Sequence, residues 1–410
     1  MDSCRKERLL EADPLVRGLE ACRALPQWRD WRWQMRHRLR SLRDLHKLFP
    51  GLSLPEGCLE AAKRYPMGIT PYYASLIGKA GAEDPIFLQA VPQAGELLSA
   101  PFLSPDPFAE EAHMPAPGLI QRYPDRALLL ATGACAVYCR HCTRKRLSAN
   151  RRELLSPAML REAAAYLARR PEIGEVLVSG GDPLTLSTAR LERILSALKA
   201  VPSVRVIRIG TRVPVVLPMR VTRELAGMLR RYHPLWLNTH FNHPAELTPE
   251  AAEACARLAE AGIPLGNQTV LLRGINDDPG LIEELCRGLV ALRVRPYYLF
   301  QCDLVEGVEH LRTPLRRGIE IMEALRGRLS GLAIPTFVVD TPEGGGKVPL
   351  LPGYIAAQSP RSTLLRTPAG RLVSYPEPDE PSPPEKGPAQ EDEPASSQAA
   401  PKPLDLPVRR

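Results

Sequence analysis

No stretch of this chain approaches the roughly 18–20 consecutive apolar residues of a membrane-spanning helix. The opening MDSCRKERLLEADP is charged where a secretory signal needs an apolar core. A soluble, cytoplasmic protein is therefore expected. A disulfide framework is missing too: the nine cysteines, Cys4, Cys22, Cys58, Cys135, Cys139, Cys142, Cys255, Cys286 and Cys302, are odd in number and scattered. That usage points to a reducing compartment. No internal repeat of solenoid period is apparent. Residues 1 to about 110 also lack the alternation that marks strands.

What is present suffices for one large domain with extensions: 410 residues, 44% of them apolar. The net charge of +8 raises the question of nucleic acid. The excess is mainly arginine dispersed through helical patterns in a chain rich in Ala, Leu and Pro. It reads as compositional bias, and no nucleic-acid partner is expected. Gln27 to Phe49 is the densest helical pattern, with Trp28, Trp31, Trp33, Leu39, Leu42, Leu45 and Leu48 on a basic background. It is expected to be an amphipathic helix docked on the main domain rather than on a membrane.

From Ala127 the pattern changes to repeated strand–helix units. Strands are expected at Ala127–Ala131, Glu175–Ser179, Val204–Ile209, Leu235–Thr239, Gly266–Leu271 and Arg295–Gln301, with a further one at Ile334–Val339. Thr248-Pro249, Asp278-Pro279 and Thr313-Pro314 each set a capping residue before a proline at the first helical position. Gly262 stands where a helix C-terminal glycine belongs. Six strands alternating with helices predict an α/β fold whose parallel sheet closes, or partly closes, as a β/α barrel with its chemistry at the C-terminal strand ends. Four regions follow: an N-terminal helical region 1–118, the barrel 119–312, a C-terminal segment 313–375 and a tail 376–410. The tail is rich in Pro, Glu and Ser and is expected to be disordered.

Three features carry chemistry. The first is Cys135, Cys139 and Cys142, spaced C-x3-C-x2-C just after the first strand. Three thiolates can hold three irons of a [4Fe–4S] cube and leave the fourth open to a chelating ligand, whereas ferredoxin runs supply a fourth cysteine. A zinc site would want a second Cys/His pair some 12–20 residues on, and the next cysteine is Cys255; unrelated core cysteines are the remaining alternative. The second is Ser179-Gly-Gly-Asp-Pro183 at the end of the second strand, where paired glycines let backbone come close to a ligand. The third is Gly344-Gly-Gly-Lys347. It is no Walker motif, because the G-x4-GK[ST] spacing is absent. A lysine at a strand end can form a Schiff base with pyridoxal phosphate when desolvated; a plain glycine loop is the alternative.

The cysteine spacing is that of the radical S-adenosylmethionine (SAM) enzymes. Over a longer range, from about Trp28 to Tyr354, the chain resembles the lysine 2,3-aminomutase family. The resemblance runs through WRDWRWQ, ITPYY, MPAPGLIQRYPDR, YCRHCTRKR, VSGGDPL, RIGTRVP, NTHFNHP, GNQTVLLRGIND, YYLFQCDL, EHLRTP, PTFVVDTP and GGGKVPLLPGY. It implies a partial, about six-stranded radical SAM barrel. It implies an isomerase that interconverts L-lysine and β-lysine by a 1,2-amino shift, using a [4Fe–4S] cluster, S-adenosylmethionine and pyridoxal 5′-phosphate. By the same resemblance Cys135, Cys139 and Cys142 hold the cluster, and Ser179, Gly180, Gly181 and Asp182 serve S-adenosylmethionine. Lys347 carries the pyridoxal phosphate, with Arg122 and Arg126 near its phosphate. Arg144 pairs with the substrate carboxylate, and Asp303 and Asp340 bind the distal ammonium of lysine.

The partners implied are a small amino-acid substrate and an electron donor such as flavodoxin or ferredoxin, with a homo-oligomer left open. Within that reading arginine, another amino acid or a protein-attached lysine stand as alternative substrates. The rival of a different class is a non-catalytic iron–sulfur or zinc protein that binds nucleic acid. The chain departs from the family at two points. Asp278 stands where a zinc-binding cysteine of the family's oligomers falls, and no cysteine follows Cys302, so no zinc is expected. Glu343 replaces a glycine of the run, which is expected to be harmless provided that position has no positive φ.

Overall fold

A computed structural model describes residues 18–78, 83–146 and 155–378. Cys4 and residues 379–410 of the expected tail lie outside the described residues. The strands are β1 Leu119–Ile120, β2 Arg126–Thr132, β3 Glu175–Gly180, β4 Val206–Gly210, β5 Leu235–Thr239, β6 Leu265–Leu271, β7 Val294–Gln301, β8 Thr336–Thr341, β9 Gly346–Pro349, β10 Ile355–Ser359, β11 Ser362–Arg366 and β12 Leu372–Pro376. The chain divides into two compact units, Met1–Gly353 and Tyr354–Arg410. In the second, β10, β11 and β12 form an antiparallel meander.

In the first unit nine strands lie in sequence order, β1 to β9. β2 through β8 are parallel, and the antiparallel strands β1 and β9 finish the two edges. The sheet is open: no pairing joins β1 to β9 among the described residues. The expected partial barrel is therefore an open sheet with seven parallel strands, the six first read and the further one expected at Ile334–Val339. Its strands alternate. Val176, Val178, Ile207 and Ile209 are buried, while Glu175, Leu177, Ser179, Arg208 and Gly210 line a cavity on the other face. Apolar residues at every second position thus place polar ones where a ligand can reach them.

Six helices connect the parallel strands: Pro157–Ala168, Thr188–Lys199, Arg223–Arg230, Pro249–Glu260, Pro279–Ala291 and Leu315–Leu325. Ser156, Ser187, Thr222, Thr248 and Asp278 cap the first five, each side chain accepting from an amide of the first turn. Asp278, the departure from a cysteine, accepts from the amides of Gly280 (2.8 Å) and Leu281 (3.1 Å). The sixth helix differs from expectation. Pro314 is its N-cap and no side chain caps it; the Thr313 hydroxyl is buried without a partner. Gly262 ends the fourth helix at φ +79°.

The stretch from Gln27 to Phe49 is not one helix. It breaks into a 3-10 turn Pro26–Arg29 and helices Trp31–Arg36 and Leu42–Leu48. Asp30 and Ser41 restart the chain as N-caps, and Leu39 leaves the helix to bridge Ile69. Strong local caps outcompete the apolar periodicity that suggested continuity. The docking itself is as read: Trp28, Trp33, Leu39, Leu42, Leu45 and Leu48 are buried in the cluster that holds Leu129, Val176 and Ile207. Each such side chain contributes about 1.5–3 kcal/mol.

The turn before Lys347 also departs from expectation. Glu343 has φ 56° and ψ 22°, a left-handed conformation that disfavours a side chain by about 1–2 kcal/mol. Glu343→Gly should therefore hold stability within about 0.5 kcal/mol of wild type, because relief of strain offsets the added freedom of the unfolded chain. Glu343→Val should lose about 1–2 kcal/mol. Urea unfolding midpoints check this; equal stability of the two variants would contradict it.

Candidate active site

A cavity of about 630 Å³ opens on one face of the sheet. It brings together every side chain singled out above: Arg122, Arg126, Cys135, Cys139, Cys142, Arg144, Ser179, Gly180, Gly181, Asp182, Asp303, Asp340 and Lys347 all line it.

The cysteines lie on the loop that follows β2. This loop has little regular structure, so its backbone groups find partners elsewhere. The amide of Tyr138 donates to the carbonyl of Gly68 (2.8 Å) and that of Arg140 to Gln89 (2.9 Å); the Arg38 guanidinium donates to the carbonyl of Cys135. The basic residues that trail the cysteines are anchors. Arg140 grips Glu96 through Nε (2.9 Å) and Nη2 (2.5 Å). Lys145 Nζ donates to Glu96 Oε2 (2.8 Å) and to the carbonyl of Gly307 (2.6 Å). Burial alone would raise the Glu96 pKa, but the two cations outweigh it and hold it below the ordinary carboxylate value.

The three thiols stand near one another: burial, then Cys142, Asp182 and Cys139, push the Cys135 thiol far up. Among the described residues no three His, Cys, Asp or Glu side chains converge to hold a single metal ion. A four-iron cube takes one thiolate per iron, so its ligands need not meet at a point. Three neighbouring thiols around open space fit a cluster.

Paired glycines at 180 and 181 have a steric cause. Gly180 has φ +121°, and a Cβ there would stand 2.6 Å from the Thr132 carbonyl oxygen; at Gly181 it would stand 2.3 Å from that of Ala134. The close approach is thus to the chain's own cysteine loop, whose carbonyls accept from Gly181 N (2.5 Å) and Asp182 N (2.7 Å). Asp182 is occupied. Oδ1 accepts from Thr211 Oγ1 (2.6 Å) and Leu184 N (3.1 Å), and Oδ2 from Arg212 N (2.7 Å). It fastens β3 to the end of β4 rather than offering a free charge. Ser179 lines the cavity and makes no side-chain hydrogen bond among the described residues.

Lys347 lies on β9, directly across from Asp340 on β8. Its Nζ is 2.5 Å from Asp340 Oδ2 and 5.5 Å from the centre of the Phe300 ring. Asp340 Oδ1 accepts from Arg122 Nη2 (3.0 Å). Arg122 and Asp340, expected on different ligands, are thus joined to each other. Arg126 lies over the Tyr123 ring at 3.7 Å. The Tyr123 hydroxyl and Arg122 Nε are buried without partners, donors that a phosphate-bearing ring would satisfy. The residues fit pyridoxal phosphate.

Arg144 is engaged as well. Its Nε (3.0 Å) and Nη2 (2.6 Å) grip Glu110, which leaves Nη1 for another anion. Asp303 is the exception, with no hydrogen bond or ion pair to any described residue. Burial, and then Asp340 beside it, push its pKa up to about 8. Sequence reasoning missed Glu110, Glu96 and Arg212, the last of which donates to Cys139 Sγ. Arg212 stands within the quoted RIGTRVP motif, whereas nothing local marks the two glutamates.

The parallel sheet with a three-cysteine loop at one strand end defines an α/β protein of the radical SAM class, and the Radical SAM superfamily model matches residues 129–285. The model described as Lysine-2,3-aminomutase matches residues 322–398. An L-lysine 2,3-aminomutase of Fusobacterium nucleatum is 51% identical over 86% of this chain and 83% of its own. One from Clostridium subterminale is 49% identical over 86% and 85%. A glutamate 2,3-aminomutase of Clostridioides difficile is 42% identical over 90% and 86%. The chain belongs to the lysine 2,3-aminomutase family. Among its described residues no helix is long and apolar enough to cross a membrane.

The Glu96 triad generates a prediction. Removing the carboxylate leaves two buried cations without a counter-charge, at a cost of about 3–5 kcal/mol. Glu96→Ala should lose stability on that scale in urea unfolding. Because the folded-state pKa is depressed, the wild-type contribution is present above the ordinary carboxylate pKa and is lost as pH falls through the lowered one. A loss below 1 kcal/mol would remove the triad as the anchor.

Proposed function

We propose that this chain is a 2,3-aminomutase that interconverts L-lysine and β-lysine. The observation that carries the substrate choice is the pair of carboxylates, Asp303 and Asp340, in one cavity wall with Asp303 uncompensated. A distal ammonium would pair with both carboxylates and favour the charged form of Asp303, whereas the side-chain carboxylate of glutamate would find no such partner there. Arginine is the competitor that could also satisfy it.

Cys135, Cys139 and Cys142 would hold the [4Fe–4S] cluster. Ser179, Gly180 and Gly181 would face S-adenosylmethionine, with Asp182 holding that turn in place. Lys347 would carry the pyridoxal phosphate, with Arg122 and Arg126 at its phosphate. When bound, these groups supply hydrogen-atom abstraction at carbon and a carrier for the migrating amine. The chain's own task is positioning and the exclusion of water. Lys347 Nζ is 2.5 Å from Asp340 Oδ2, so the proton that blocks the amine as a nucleophile has an acceptor in contact. With Nζ engaged elsewhere, Asp340 would lose its ammonium partner, and the substrate's distal ammonium would take that place. Arg144 Nη1 would meet the substrate carboxylate while Glu110 fixes the guanidinium plane. The cluster's electron would come from a flavodoxin- or ferredoxin-type donor.

An anaerobic assay of lysine, arginine and glutamate with product analysis tests the reading; better turnover of glutamate than of lysine would sink it. Each charge-assisted contact contributes roughly 1.5–3 kcal/mol, so Asp303→Asn should lower kcat/KM for lysine at least about tenfold with cofactors retained.

The pKa near 8 of Asp303 adds a pH test. At neutral pH this carboxyl is largely protonated, and a bound ammonium favours its charged form, so binding releases a proton. Apparent affinity for lysine should rise from about pH 6 to about pH 8, by up to roughly tenfold per unit, then level off. Asp303→Asn should flatten the profile. A wild-type KM independent of pH over that range would contradict it.

A further inference from the structure

Arg212 is buried between the cysteine loop, the N-terminal helices and the end of β5. Its Nη2 donates to Glu246 Oε1 (2.7 Å), Gln89 Oε1 (2.5 Å) and Tyr73 Oη (3.0 Å). Its Nε donates to the carbonyl of His240 (3.2 Å). Glu246 is itself saturated, accepting from Tyr73 Oη (2.6 Å), Asn242 N (2.6 Å) and His243 N (3.1 Å). The guanidinium therefore has its counter-charge and a fixed plane before Nη1 is counted. That nitrogen points at sulfur: Nη1 to Cys139 Sγ is 2.8 Å. No other cysteine of the three accepts a side-chain hydrogen bond among the described residues.

We infer that Arg212 is a positioning residue that raises the reduction potential of the cluster bound at Cys135, Cys139 and Cys142. The inference rests on those cysteines holding the cluster. Hydrogen bonds to ligand sulfur and local net charge are the protein's levers on such potentials. A donor that carries positive charge favours the reduced cluster, which has one electron more. In a site shielded from water that preference is strong, because little dielectric screens it. Glu246 sets how much of the charge is felt at the sulfur. Arg212 also ties the cluster to the S-adenosylmethionine turn, since its amide donates to Asp182 Oδ2 (2.7 Å).

The test is an anaerobic redox titration of the full-length reconstituted protein, with dithionite as the one-electron donor and the cluster read by electron paramagnetic resonance. Arg212→Gln should keep four irons and shift the reduction equilibrium at least tenfold toward the oxidised form, a fall of 59 mV or more for a one-electron couple. Glu246→Gln should move it the other way, because the arginine is then unbalanced. A merely structural role would give no such opposed pair. An unchanged potential in a four-iron Arg212→Gln protein overturns the inference while leaving the cluster assignment intact. Should that variant fail to load iron, Glu246→Gln decides: a raised potential supports the inference, an unchanged or lowered one refutes it. Wild type without a four-iron cluster would instead overturn the underlying assignment.

Discussion

The geometry of the site depends on one buried carboxylate. Glu96 stands in the N-terminal region, yet Arg140 and Lys145, on the cysteine loop, both close on it. A loop without helix or strand ladder has no intrinsic reason to hold three thiols in register. Here two cations bracket Cys142, and each is fixed to the same anion. The charges cannot drift toward water without breaking a buried triad. The N-terminal helices are thus part of the site's framework. The basic residues Arg140 and Lys145 beside the cysteines direct their charge inward.

A second constraint acts at the far edge of the sheet. β9 runs antiparallel to β8 in a register that sets Lys347 opposite Asp340. Cross-strand neighbours stand close enough for charge pairing, so the turn between them decides whether lysine and aspartate meet. That turn is tight: positive φ at Glu343, Gly344 and Gly346 and a Gly345 whose Cβ would be 2.6 Å from Thr341 Oγ1. The glycine run accordingly serves hairpin geometry.

Much of this was legible in the sequence, because strand patterns, caps and the cysteine spacing are local signals. Thr248-Pro249, Asp278-Pro279 and Gly262 announced helix ends directly. What was illegible was pairing across distance. Nothing near Glu110 says that it meets Arg144, and nothing near Glu96 says that it meets Arg140. Asp182 looked like a ligand for a charged cofactor, since a Gly-Gly-Asp turn at a strand end exposes a carboxylate until the next strand arrives. Thr211 and Arg212 of β4's exit then consume it. Gln27 to Phe49 failed for a related reason: apolar spacing was helical throughout, but the caps at Asp30 and Ser41 cut the helix.

The carboxylates around the cavity carry the remaining argument. Glu110, Asp182, Glu246 and Asp340 each have cationic or hydrogen-bonding partners supplied by the fold. Among the described residues Asp303 has no hydrogen bond or ion pair, and burial and then its neighbour Asp340 raise its pKa against the more distant pull of Lys347, Arg122 and Arg144. An acid that lines the cavity without a direct partner calls for an account. Folding alone gains nothing from it. A cationic side chain entering from outside would, since it could pair with Asp303 and take the place of the lysine at Asp340. The fold therefore satisfies each acid it uses for architecture and leaves without a direct partner the one that lines the cavity. That asymmetry, more than the count of aspartates, is what the proposed choice of a diamino acid rests on.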